Sequence, residues 1–254
     1  MLKKYSRELI LLVVVLLMLV AFMGKPPVSQ NLDYHAFVDT RAFFNIPNFF
    51  DVISNAAFFI TGLIGLIVTL VKKPTKAYTS WIVFYLGVIL VSPGSAYYHW
   101  TPNNQTLVWD RLPMTVGFMG LFCALIALYI NEKLAKILLL PCLTLGAWSV
   151  YFWSQHDDLR LYFFVQFMPL ALIPLMAMMF RDRGVKSRFL IIPLSFYVLA
   201  KIVEHKDPQI FAMTKGFLSG HTLKHYLAAI APLFLMKLMD SGRDSKITVS
   251  TYKN

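Results

Sequence analysis

Long apolar stretches alternate with short polar breaks along almost the whole chain. Eight stretches, roughly 8–23, 53–71, 80–99, 113–130, 135–153, 161–180, 188–203 and 218–237, are as long as a membrane-spanning helix needs, or nearly so. The breaks carry charges and turn formers: Lys72-Lys73-Pro74, Pro102-Asn103-Asn104, Asn131-Glu132-Lys133, His156-Asp157-Asp158, Arg181-Asp182-Arg183-Gly184 and Lys206-Asp207-Pro208. The pattern predicts eight helices. Pro93, Pro141, Pro169, Pro174, Pro193 and Pro232 fall inside them, as kinks that membrane bundles tolerate. Trp81, Trp100, Trp109, Trp148 and Trp153 fall near the expected helix ends, where interfacial aromatics collect.

The first stretch follows Lys3, Lys4 and Arg7, as a signal sequence would. Its far flank, Ala21-Phe22-Met23-Gly24-Lys25, has large residues where a cleavage site needs small ones. Residues 1–24 therefore read as an uncleaved signal anchor, 25–52 as an outer loop, 53–237 as a seven-helix bundle and 238–254 as a polar cytoplasmic tail.

Composition agrees with a lipid environment: 57% of residues are hydrophobic and only 15% charged, against about 25% charged in soluble domains. The net charge of +11 would point to nucleic acid in a soluble protein. Threading eight helices from an inner N-terminus instead leaves eight cations outside: Lys25, Arg41, Arg111, Arg160, Lys201, Lys206, Lys215 and Lys224. The other sixteen of the 24 fall inside, the bias expected of an N-in, C-in multi-pass protein of the cell (inner) membrane. The charge is a topology signal, and no nucleic-acid partner is needed. Cys123 and Cys142 lie in apolar runs and make no disulfide framework.

Ionisable residues inside such helices are costly and point to function. They gather in Ser95-Ala96-Tyr97-Tyr98-His99, Trp109-Asp110-Arg111, Lys201-Ile202-Val203-Glu204-His205 and His221-Thr222-Leu223-Lys224-His225, all at outer helix ends. Ser95 and His99 share one helix face, as do His221 and His225. Asp110 opens the fourth helix and returns to the same level. Three imidazoles suit Zn²⁺ and leave one ligand position for water; Asp110 can move that water's proton, and Ser95 can support an oxyanion. A structural polar cluster or a proton path uses the same residues. Lys201 and Glu204, three apart, read as a simple pair. His35, His156 and His205 read as loop or interface residues.

Ser95-x₃-His99, Asp110 and His221-x₃-His225 on a seven-helix core resemble the CREST superfamily of membrane hydrolases, and within it the alkaline ceramidase family. Asn48-Phe49-Phe50-Asp51-Val52-Ile53-Ser54-Asn55 is similar to that family's first core helix, and Gly94-Ser95-Ala96-Tyr97-Tyr98-His99 to its second-helix motif; the likeness runs over about 35–237. It implies an all-α membrane bundle of seven helices, here preceded by one extra N-terminal helix. It implies a zinc amidohydrolase that cleaves the N-acyl bond of a ceramide-like lipid to a long-chain base and a fatty acid. Zinc falls to His99, His221 and His225, water activation to Asp110 and transition-state support to Ser95. The lipid enters from the bilayer, and the site lies near the outer face. Calcium is the family's second cofactor; its Asp-Trp-x-Glu-type segment is missing here, and Asp39, Asn45 and Asn48 offer the oxygen ligands. The rival readings are a non-catalytic lipid receptor or scaffold that keeps the zinc, and a bis-His haem carrier.

Overall fold

A computed structural model describes residues 5–241. Lys3, Lys4, Arg243, Lys246, Lys253 and most of the expected tail lie outside the described residues. The chain is an all-helical membrane bundle, without a strand among the described residues. Its helices are α1 (Ser6–Met23), α2 (Phe49–Ile53), α3 (Ala56–Lys72), α4 (Tyr78–Trp100), α5 (Asn104–Tyr129), α6 (Glu132–His156), α7 (Arg160–Met179), α8 (Arg188–His205), α9 (Asp207–Met213) and α10 (Gly220–Leu235). Six spans, α1, the continuous stretch of α2 and α3, and α4 to α7, are long and apolar enough to cross a membrane. The helices α8 and α10 are shorter or more polar, because they carry the lysines, Glu204 and two histidines. They pack tightly on each other, and α10 also packs on α3.

Seven helices (α3 to α8 and α10) form the bundle. The middle of it is α5, which packs against α4, α6 and α7. A helix surrounded on all sides is apolar all round, and α5 is buried from Phe122 to Tyr129 without a break. By contrast α1 lies at the edge, on α7, with Leu11 its one buried residue. Phe22 of α1 stacks on Phe167, and Arg7 pairs with Asp182 at the other end.

Three departures from the sequence pattern have local causes. The apolar run suggested a fourth helix from about 113, with Asp110 at its opening; α5 begins at Asn104, so Asp110 lies well inside it. The start is set by Asn103, whose side chain accepts from the N–H groups of Gln105 and Thr106 while Thr106 Oγ1 accepts from Asn103 N. Pro113, which reads as a first-turn residue, is therefore interior. Trp81 and Trp153 are fully buried rather than interfacial; Trp100, Trp109 and Trp148 are exposed. The loop 25–52 is also partly ordered by a short 3₁₀ turn, Leu32–His35, and by α2.

Candidate active site

One end of the bundle gathers the polar residues. His99 lies in the last turn of α4 and Ser95 one turn before it. Ser219 caps α10 by accepting from Thr222 N, which fixes His221 and His225 in its first two turns. All three imidazoles are buried, and their ring centroids stand 4.8, 4.9 and 5.1 Å apart. One ring nitrogen from each falls within 4.8 Å of the other two.

The donor set fits a metal ion. His99 Nε2 and His221 Nε2 face each other at 3.3 Å. Two nitrogens each 2.0–2.1 Å from a tetrahedral zinc would be about 3.3 Å apart. His225 Nδ1 is taken by Ser54 Oγ at 2.7 Å, which leaves its Nε2 for the ion. His99 Nδ1 is buried and has no hydrogen-bond partner among the described residues.

Residues without an expected part in the metal site hold these rings in place. Ser54, at the kink between α2 and α3, also donates to the carbonyl of Asp51 at 3.1 Å. Asp51 is fully buried and accepts from Thr222 Oγ1 at 2.6 Å, tying α2 to α10. Asn48 Nδ2 donates to the carbonyl of His99 at 2.8 Å. Asp207, in the loop helix α9, accepts from His221 N at 2.9 Å. Burial pushes its carboxyl above the usual range, while the N–H groups of His221, Gly220 and Val38 pull it back. The Phe37 ring lies 4.7 Å from both His99 and His221 and covers the pair from the loop side. Asn48, Asp51 and Ser54 stood in the sequence motif that resembles the family's first core helix, Asn48 also as a calcium candidate, but none of them was assigned to the histidines; Asp207 and Phe37 carried no such signal.

Ser95 and Asp110 reach the same place from α4 and α5, with the Ser95 hydroxyl close enough to the Asp110 carboxyl to act on it. Both line a cavity of about 810 Å³ together with His99 and His225. Its length is mostly apolar, walled by α4, α5, α7, α8 and α10. Charge is confined to its ends. Near the histidines stand Arg111, Lys201, Glu204 and Lys224. Glu204 accepts from Lys201 at 2.9 Å, the pair expected from their spacing, and also from Lys224 at 2.5 Å.

The residues considered for calcium lie along the loop before α2. Both oxygens of Asp39 are engaged by Arg41, at 2.7 and 2.6 Å. Asn48 donates through its nitrogen to His99, which fixes the direction of its oxygen, and Asn45 is exposed in a left-handed turn, φ 61°. His35 bridges Tyr98 and Asn104, each at 2.9 Å, and pins this loop to α4 and α5.

A family model described as Ceramidase matches residues 39–239, a stretch that holds the three histidines, Ser95 and Asp110. No curated protein matches the chain.

Proposed function

The chain belongs to the ceramidase family, hydrolases of amide bonds, and from that premise we propose that it cleaves the N-acyl amide of a ceramide-like lipid at a zinc ion held by His99, His221 and His225. The observation that carries this reading is the convergence of three buried imidazoles with Ser95 and Asp110 at one end of a lipid-sized cavity. Bound there, zinc would supply Lewis acidity, polarising the amide carbonyl and making water acidic near neutral pH.

The chain's own residues divide the remaining work. Asp110 takes the proton of the attacking water and returns it to the amide nitrogen, so that the C–N bond breaks to a carboxylate and an amine. Ser95, beside Asp110, can turn its hydroxyl toward the oxygen on which charge develops. The apolar walls from Phe84 to Leu235 take the acyl and base chains and keep bulk water from the reacting end. The Asp39, Asn45 and Asn48 loop is a weaker candidate for calcium, since an ion there competes with Arg41 for Asp39.

We place the N- and C-termini inside and the site toward the outer face of the cell membrane, on the distribution of Lys and Arg. The domain division into anchor, outer loop, bundle and tail is proposed with it. The test is metal content and ceramide hydrolysis in purified protein and in His99→Ala and His221→Ala. Loss of zinc together with activity is expected. Activity and stoichiometric zinc in both variants would overturn the reading. A receptor that keeps the ion would bind ceramide without forming product in a single turnover.

A further inference from the structure

The cavity's charges do not match a neutral lipid. At the histidine end three cations, Arg111, Lys201 and Lys224, face two carboxylates, Asp110 and Glu204. Both lysines converge on Glu204. Among the described residues Arg111 forms no ion pair, and Asp110, next to it in sequence, feels its charge without contacting it. It is 6% exposed. Its Nη2 donates to Gln30 Oε1 at 2.6 Å, and its flat faces are taken by Trp153 and Tyr162, with ring centroids 4.1 and 4.8 Å away. The N–H bonds lie in the guanidinium plane, so stacking leaves them free. Nη1 is buried and has no hydrogen-bond partner among the described residues. A buried cation with an unused donor on a cavity wall is costly unless something negative reaches it.

We propose that the substrate is an N-acyl lipid whose head group carries an anionic oxygen group, a phosphate or a carboxylate, which Arg111 binds with help from Lys201 and Lys224. This deepens the amidase reading and rests on it for the site of cleavage, though not for head-group binding. The guanidinium fork matches the geometry of either anion. The stack on Trp153 and Tyr162 holds the fork rigid, so little freedom is lost when the anion arrives.

The test separates binding from cleavage. Three analogues with one acyl chain and a methylene ketone in place of the amide, built on ceramide, ceramide 1-phosphate and an N-acylglycine, are titrated into full-length, metal-loaded protein in nanodiscs. The two anionic analogues are expected to bind about ten-fold or more tighter than the neutral one. Arg111→Met should abolish the preference, and Lys201→Met should reduce it. Lys201 lies in a half-exposed position and serves if Arg111→Met does not fold, which a melting curve reports. Equal binding of the three analogues, or a preference that survives in the folded variants, would overturn the proposal. So would inorganic phosphate that binds at Arg111 while the lipids show no preference, because the cations would then serve a free anion. Hydrolysis of ceramide without an anionic preference removes this inference alone. An anionic preference without amide cleavage removes the amidase reading and leaves this one standing.

Discussion

Ser54 Oγ stands 2.7 Å from His225 Nδ1 and 3.1 Å from the carbonyl oxygen of Asp51. The carbonyl can only accept, so the single proton of Ser54 is committed to it. His225 Nδ1 must then be the donor to Ser54, and the lone pair of His225 lies on Nε2. A serine at the α2–α3 kink thereby selects the tautomer of a residue on α10.

Ser54→Ala should therefore weaken metal binding without unfolding the bundle. Partners that fix a liganding histidine contribute about 10–100-fold in affinity. Competition with a chelator of known zinc affinity measures the change, and a melting curve of the metal-free protein checks the fold. Equal zinc affinity in the variant and the parent would show that the His225 ring is oriented by packing alone.

Asp110→Asn separates proton transfer from metal binding. The amide keeps the shape and the contact with Ser95 but cannot take a proton. A kcat lower by about 10²–10⁴-fold is expected, with zinc stoichiometry unchanged. Ser95→Ala should cost less, because Asp110 remains. Atomic absorption and lipid product analysis on the same preparations decide the case. Zinc lost along with activity would make Asp110 a ligand or a structural support rather than a base.

The helical count and the Ser95/His99 and His221/His225 pairs were legible because each leaves a regular trace: charged breaks between apolar runs, and polar residues repeating at the helical period. The start of α5 was not, because Asn104–Leu112 is polar and Pro113 looks like a first helical residue. Its cap at Asn103 outweighs the low hydropathy of that first part. Nor was the link of Ser54, Asp51 and Phe37 to the histidines legible, although the first two stand in the motif from Asn48 to Asn55. A serine, an aspartate and a phenylalanine before an apolar run have no spacing that announces a partner some 170 residues away, and only packing of α2 on α10 brings them together. The cations showed the opposite problem. Lys224 and Arg111 were counted for topology, yet Lys224 is tied to Glu204 and Arg111 is enclosed by aromatic rings.

Pro113 has no N–H to give to the carbonyl of Trp109, one turn before it. That freed oxygen faces α4 at Gly94, where a Cβ would collide with it and press on Pro113. Gly94 thus sets how closely α4 approaches α5, one residue from Ser95. Gly94→Ala should cost about 1–3 kcal/mol of stability and move Ser95 away from Asp110. The expected signature is a lower melting temperature with a fall in kcat larger than that of Ser95→Ala. Activity equal to the parent's would mean that the helices absorb the methyl group elsewhere.

Outside the spans, Asp158 and Arg160 form a clamp between the α6–α7 turn and the end of α1. Arg160 donates to both oxygens of Asp158, at 3.0 and 2.7 Å, and its Nη1 reaches the carbonyls of Met23 and Lys25. The guanidinium holds the Asp158 carboxyl below its ordinary range. A depressed folded-state value means that the stabilisation is complete above the unfolded value of about 4 and is lost as pH falls through the lower, folded one. Asp158→Asn should therefore melt a few degrees below the parent at neutral pH, and the two curves should converge as pH drops below about 4. Melting temperatures in detergent across that range measure the gap. A gap that stays constant down to pH 3 would place the contribution of Asp158 in its hydrogen bonds to Val28 and Arg160 backbone N–H groups rather than in its charge.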